Sequence, residues 1–103
     1  MIKVSVFYPA GENKKSDIDY YCNSHIPMVR EKLGAACKNA AVDQGVAGGA
    51  PGAPATYAAI GHLYFDSVGD FQEAFGPHVS SIMGDVPNYT NITPVIQISE
   101  VKL

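Results

Sequence analysis

Three histidines, two cysteines and six tyrosines carry most of the reactive chemistry of the chain, and His25 has the most unusual setting. It lies in "YYCNSHIPMV", Tyr20 to Val29. An imidazole titrates near pH 6.5 in free peptides, to within about one unit, so it can take or give a proton at neutral pH without large tuning. On a helical wheel Ile18, Cys22, His25, Val29 and Leu33 form one stripe, which aims the ring at the interior. Pro27, two residues on, lacks an N–H and crowds the carbonyl of Asn23. In a helix interior that costs about 3 kcal/mol when nothing compensates. The expected result is a kink or break just after His25, with the Asn23 carbonyl released and a gap beside the imidazole. Such a gap suits a small ligand; the same pattern also describes a core histidine bonded to a backbone carbonyl. Tyr21 could hydrogen-bond the ring or donate to a ligand oxygen, and it equally suits amphipathic packing.

His62 and Tyr64 share one side of a strand and are the next candidates for lining a substrate site. His78 follows Gly76-Pro77 and reads as a surface residue at a helix break. The three histidines fall on separate elements, with no His-x-x-x-His or Cys-x-x-Cys spacing, and Cys22 with His25 offers only two ligands, so no metal is implied. There is no Gly-x-Ser-x-Gly. "GVAGGAPG" lacks the Lys-Ser/Thr of a phosphate loop and precedes a strand, so no nucleotide cofactor is implied either.

The elements that must position these residues follow from patterning. Ile2 to Tyr8 alternates as a strand and stops at Pro9-Ala10-Gly11. Ser16, with Asp19 three positions on, is expected to cap a helix that Gly34 ends. Lys38 to Gln44 is a second strand, Tyr57 to Phe65 a third, and Ile92 to Val101 the last. Ser67 caps a second helix with apolar positions Phe71, Ala74, Phe75, Val79 and Ile82. Between them "GVAGGAPGAPA", Gly45 to Ala55, is a small-residue loop, either a lid or a plain connection. The order β-α-β-β-α-β predicts an α+β, ferredoxin-like domain over residues 1–103, a four-stranded antiparallel sheet with both helices on one face.

With 47% hydrophobic and 17% charged residues the chain is composed as a globular domain, and its net charge of −3 with no basic cluster argues against nucleic acid. No apolar run approaches the roughly 20 residues of a membrane span. "MIKVSVFYP" is too short for a signal peptide and reads as a strand, so reduced thiols in a cytoplasmic setting are expected, with a Cys22–Cys37 disulfide left open by spacing. One difficulty remains. Tyr57, Ala59, Gly61, Leu63 and Phe65 alternate with Ala58, Ile60, His62 and Tyr64, and Val95 alternates with Ile96 and Ile98, so both sides of the sheet look apolar. Two helices cover one side only, and the expected cover for the other is a second copy, a homodimer packed through its sheet faces.

"DYYCNSHIPMV" (Asp19 to Val29), "LYFDSVGDFQEAF" (Leu63 to Phe75) and "DVPNYTNITPVIQISEV" (Asp85 to Val101) together resemble the EthD-like family over essentially the full chain, with Tyr21, His25 and Pro27 matching its Tyr-x-x-x-His-x-Pro core. The resemblance implies the dimeric α/β-barrel superfamily, in which two ferredoxin-like subunits pack sheet to sheet. It implies a hydrophobic, oxygenated or aromatic small molecule as ligand, since superfamily members include cofactor-independent oxygenases, polyketide cyclases and lactone isomerases. On that basis His25 and Tyr21 are the catalytic candidates, and Asp85 and Tyr89, in the similar tail, are candidates for orienting His25. "GDVPN" is also strong turn chemistry, so both could be turn residues. Two functions stay open: a small cofactor-independent enzyme (isomerase, cyclase, decarboxylase or oxygenase) with His25 as acid/base, or a non-catalytic carrier accessory to an oxidative degradation pathway.

Overall fold

In the computed structural model, which describes all 103 residues, the sheet is built from β1 (Ile2–Pro9), β2 (Asn39–Gln44), β3 (Tyr57–Phe65) and β4 (Val95–Glu100). They lie in the order β2-β3-β1-β4, every neighbouring pair antiparallel. Register follows alternation. Val4 stands opposite Leu63 and Ile98, and Val6 opposite Gly61 and Ile96. A one-residue slip would turn this whole set to the other face. Ile2, Val4, Leu63 and Phe65 meet Val29, Leu33 and Ile82 of the helices in one core cluster. Phe65 is fully buried; a side chain of this kind contributes about 1.5–3 kcal/mol through its removal from water. The architecture is the expected ferredoxin-like α+β fold. The molecule measures 41 × 33 × 19 Å, and its short dimension is one sheet plus one helical layer.

The first helical rod comprises α1 (Ile18–Tyr20), a π-helical turn (Tyr21–His25) and α2 (Ile26–Leu33). Its N-cap is Asp17, whose side chain accepts from the Tyr20 amide at 3.0 Å. Ser16, the expected cap, instead shares a hydrogen bond with Thr90 at 2.9 Å. Gly34 ends the rod at φ +64°, a conformation that glycine adopts without a Cβ penalty. The helix does not break after His25. The backbone widens instead: the Ile26 N–H bonds the Tyr21 carbonyl, five residues back, and Pro27 falls in the first turn of α2, where its missing N–H costs least.

That widening changes which residues face inward. The π-turn inserts one residue into the helical repeat, so Tyr21 is buried while Cys22, which an unbroken α-helical wheel places on the apolar stripe, is exposed. Both cysteines are free thiols.

The second helical region is α3 (Val68–Phe75), capped by Ser67, then a 3₁₀ turn at Gly76–His78 and α4 (Val79–Asp85). Pro77 thus re-aims the chain as expected, with His78 half-buried at the turn. β4 begins at Val95 rather than Ile92. Ile92 is buried beside Tyr89 in a second core cluster, and Pro94 has no N–H to give the ladder.

Gly45–Ala55 prolongs the β2–β3 hairpin, with bonds from Gly45 N to Ala58 O and from Gly48 N to Ala53 O, both 2.9 Å. No residue of this arm borders the cavity described below.

The helix-free face of the sheet is less apolar than alternation suggested. Ile96 and Ile98 turn to the helix side, so β4 offers the other face Val95, Gln97 and Ser99. The apolar part of that face is Phe7, Tyr57, Ile60, Tyr64 and Val95, beside the polar Lys3, Ser5, Asp43 and His62. No helix is long and apolar enough to cross a membrane.

Candidate functional site

The π-turn carries His25 onto the helix side of the sheet, where only 4% of the residue is exposed. Its Nδ1 lies 2.9 Å from Oδ2 of Asp85, the last residue of α4. A carboxylate at a helix C-terminus faces the negative end of the helix dipole and needs compensation. It comes from donors: the Tyr20 hydroxyl at 2.8 Å and the Asn88 side-chain amide at 2.9 Å both reach Oδ1. The Asn88 amide, with His25 and Tyr20 behind it, holds the Asp85 carboxyl below its ordinary pKa despite partial burial. An ionised carboxylate can only accept, so the short contact places the ring proton on Nδ1 and leaves Nε2 of the neutral ring as an acceptor.

Aromatic rings fix the imidazole plane. Tyr21 stacks on His25 at 5.5 Å and 15°, and Tyr89 packs against both rings, 4.7 Å from His25 and 5.1 Å from Tyr21. Tyr89 is held in turn by Tyr8, their hydroxyls 2.7 Å apart. Burial pushes the phenols of Tyr8, Tyr21 and Tyr89 up, so all three stay protonated at neutral pH and serve as donors. The Tyr21 hydroxyl rests against the backbone of β3 at Gly61, where any Cβ would collide with it.

Beside this cluster lies a cavity of about 50 Å³ between the sheet and the helices. His25, Tyr21 and Tyr8 make up its polar edge, and the rest of the wall is almost wholly aliphatic and aromatic. Asp85 and Tyr89 do not reach the wall; they stand behind the imidazole. The arrangement can present one acceptor nitrogen and phenolic donors to a ligand atom inside an apolar chamber. No three His, Cys, Asp or Glu side chains converge as a metal site would require.

Of the residues singled out from sequence, Tyr21, His25, Asp85 and Tyr89 come together. His62 and Tyr64 do not join them, because the sheet stands between. They lie on the helix-free face, His62 with Nε2 2.8 Å from Asp43 Oδ2 and with Nδ1 shielded and unpartnered. Four participants escaped the sequence reading: Tyr8, Tyr20, Gly61 and Asn88. Gly61 carried a usable signal, since glycine inside a strand marks a close approach of another group. Tyr8 ends the inward alternation Ile2, Val4, Val6 with a polar tip. Nothing local marks Tyr20 or Asn88.

Comparison with known proteins agrees with this fold. A family model described as the EthD domain matches residues 10–93. The chain is similar to an EthD-like protein of Ralstonia eutropha JMP134, with 46% identity over 99% of this chain and 92% of that one and a TM-score of 0.95. It also resembles an ethyl tert-butyl ether D (EthD) family protein of Bacillus halodurans C-125, with 18% identity over 99% of both chains and a TM-score of 0.67, a likeness of fold. No functionally curated protein matches the chain.

Proposed function

The chain belongs to the EthD family, and from that premise we propose that it is a small cofactor-independent enzyme acting by proton transfer on a hydrophobic oxygenated or aromatic metabolite. The observation that carries the reading is the buried His25 whose Nδ1 is taken by an ionised Asp85, which leaves Nε2 to serve the cavity that the ring lines. Nε2 is the base that removes a proton from the ligand. The Tyr21 hydroxyl donates to the oxygen on which negative charge develops, and the apolar wall strengthens that hydrogen bond by excluding water. Isomerisation, cyclisation and oxygenation of an activated carbon begin with such a step, and decarboxylation ends with its reverse, the return of a proton to carbon after CO2 leaves.

The homodimer belongs to the same proposal. Phe7, Tyr57, Ile60, Tyr64 and Val95 give the helix-free face an apolar strip, and a second copy packed sheet to sheet would cover it. Sedimentation of wild type and Ile60→Lys tests this: a dimer that the lysine dissociates supports it, and a wild-type monomer at micromolar concentration sinks it.

A carrier function is the second reading. It is favoured by the close packing of Tyr21 and Tyr89 against a ring that is 4% exposed, which would orient a ligand without needing to turn it over. Incubating wild type and His25→Ala with a panel of hydrophobic ketones, phenols and lactones separates the two. Turnover that falls about 10²–10⁴-fold in His25→Ala, the usual worth of a general base, supports the enzyme. Turnover equal in both removes His25 from the mechanism, and saturable binding with no product after long incubation favours the carrier.

A further inference from the structure

The cavity is small for the ligand class proposed for it. A space of about 50 Å³ holds a few water-sized atoms, since one water needs about 10–15 Å³ by this measure. Anything larger must leave through the mouth, and the mouth has a definite direction. Met83 of α4 and Ile96 of β4 both border the cavity. Val79 lies one helical turn before Met83 on the same side of α4, and Ile98 lies two residues after Ile96 on the same face of β4. Ile96 and Ile98 stand beside Val6 and Val4, two strand residues of the cavity wall.

These four side chains are exposed although they are apolar. Val79 is 40% exposed, Met83 37%, Ile96 45% and Ile98 40%. The strip they offer on α4 and β4 is therefore apolar, and Met83 and Ile96 join it to the wall of the chamber that holds the imidazole. It is also uncharged: between Val79 and Ser99 the sequence has one Asp, Glu, Lys, Arg or His, Asp85, and that carboxylate is turned inward to His25. No cation lies along it to meet an anionic ligand.

We propose that the site takes a neutral amphiphile, with a carbonyl or hydroxyl oxygen at His25 and Tyr21 and an alkyl or aryl tail laid along the Val79, Met83, Ile96 and Ile98 strip. This rests on the reading of the His25 cavity given above and adds the shape and charge of the ligand. The occupant is a ligand tail because Met83 and Ile96 belong both to the cavity wall and to this exposed strip. The helix-free face, where a second copy is proposed to pack, is on the other side of the sheet.

The probes are straight-chain 2-alkanones from butanone to 2-undecanone, with decanoate as the anionic control, binding being read from amide shifts of the full chain. A buried methylene is worth about 0.8 kcal/mol, so Kd should fall about threefold to fourfold per added carbon through the middle of the series and level off once the chain passes Ile98. Val79→Lys and Ile98→Lys, both at exposed positions that a lysine does not unfold, should flatten that slope to less than half. Decanoate should bind at least tenfold more weakly than 2-undecanone. A Kd independent of chain length in wild type overturns the proposal, as does a slope untouched by both lysines or decanoate binding as tightly as the ketone. Lysine variants that dissociate a dimer and leave the slope intact assign the strip to an interface between copies, which overturns it too. Failure of the underlying reading looks different: butanone and undecanone would bind equally well to wild type and His25→Ala.

Discussion

His25 and His62 each hold an aspartate at hydrogen-bond distance, 2.9 Å to Asp85 and 2.8 Å to Asp43, yet the two pairs are built for different ends. On the helix side, Nδ1 is engaged and the other nitrogen belongs to a ring that lines a cavity. On the helix-free side, Nε2 is engaged and Nδ1 is shielded with no partner. The Asp85 side chain is 17% exposed and bound by Tyr20 and Asn88, whereas that of Asp43 is 65% exposed. An ion pair with one member in water is worth about 0–1 kcal/mol and holds its geometry loosely. The short distance alone thus says little. What separates a positioned base from a surface pair is whether the carboxylate is itself held.

The largest expected effect tests that difference. Asp85→Asn keeps the shape but offers His25 either an amide donor or a carbonyl acceptor, so the proton is no longer fixed on Nδ1. Nε2 then carries the proton in part of the population and cannot act as base. Activity, or binding of a ketone probe where no turnover exists, should fall about tenfold to a hundredfold, in the range known for residues that orient a reacting group. ¹⁵N chemical shifts of His25 should report the mixed tautomer directly. Asp43→Asn should change activity less than twofold. Equal losses from the two variants would show that the sheet does not divide the pairs as the geometry indicates.

A second contrast lies within β3. Gly61 and Ile60 are neighbours facing opposite sides, and only Gly61 touches the site. A Cβ at Gly61 would collide with the Tyr21 hydroxyl, and Tyr21 is buried and stacked on His25, so the ring cannot yield freely. Gly61→Ala should lower stability by about 1–3 kcal/mol, the usual cost of overpacking, read as a fall in the urea midpoint. The double variant Gly61→Ala/Tyr21→Phe should recover at least half of that loss, because it removes the atom that collides. A double variant as unstable as the single one would place the cost in the strand backbone.

These particulars also show what was legible in the chain before its fold was known. Alternation in Ile2 to Tyr8 and Tyr57 to Phe65, and the Gly34 and Ser67 signals, were enough for the βαββαβ order, since strand and helix periods are local properties. The inward aim of His25 was legible for the same reason. Cys22 was misplaced because a wheel assumes a constant repeat, and a π-turn is a response of the backbone to Pro27 that no wheel contains. The separation of His62 from His25 was hidden too: both alternate sets of β3 are apolar, and only the packed helices reveal which set they cover. Asp85 meets His25 across 60 positions of sequence. That proximity is a property of the fold, and local reading reached Asp85 only through its resemblance to a family tail.

The smallest expected effect concerns acid. Three donors hold the folded-state pKa of Asp85 below its ordinary value of 3.8, the Asn88 amide foremost. A carboxyl whose folded pKa lies below its unfolded one binds protons more readily when unfolded. The stability it contributes is therefore fully present above the unfolded value and is lost as pH falls through the folded one. The gap in urea midpoint between wild type and Asp85→Asn should thus close once pH falls below about one unit above 3.8, as acid protonates the wild-type carboxylate. The corresponding gap for Asp43→Asn should be smaller, because water screens a side chain that is 65% exposed. Should the Asp85 gap instead stay the same in acid, the charge would not be what the three donors stabilise.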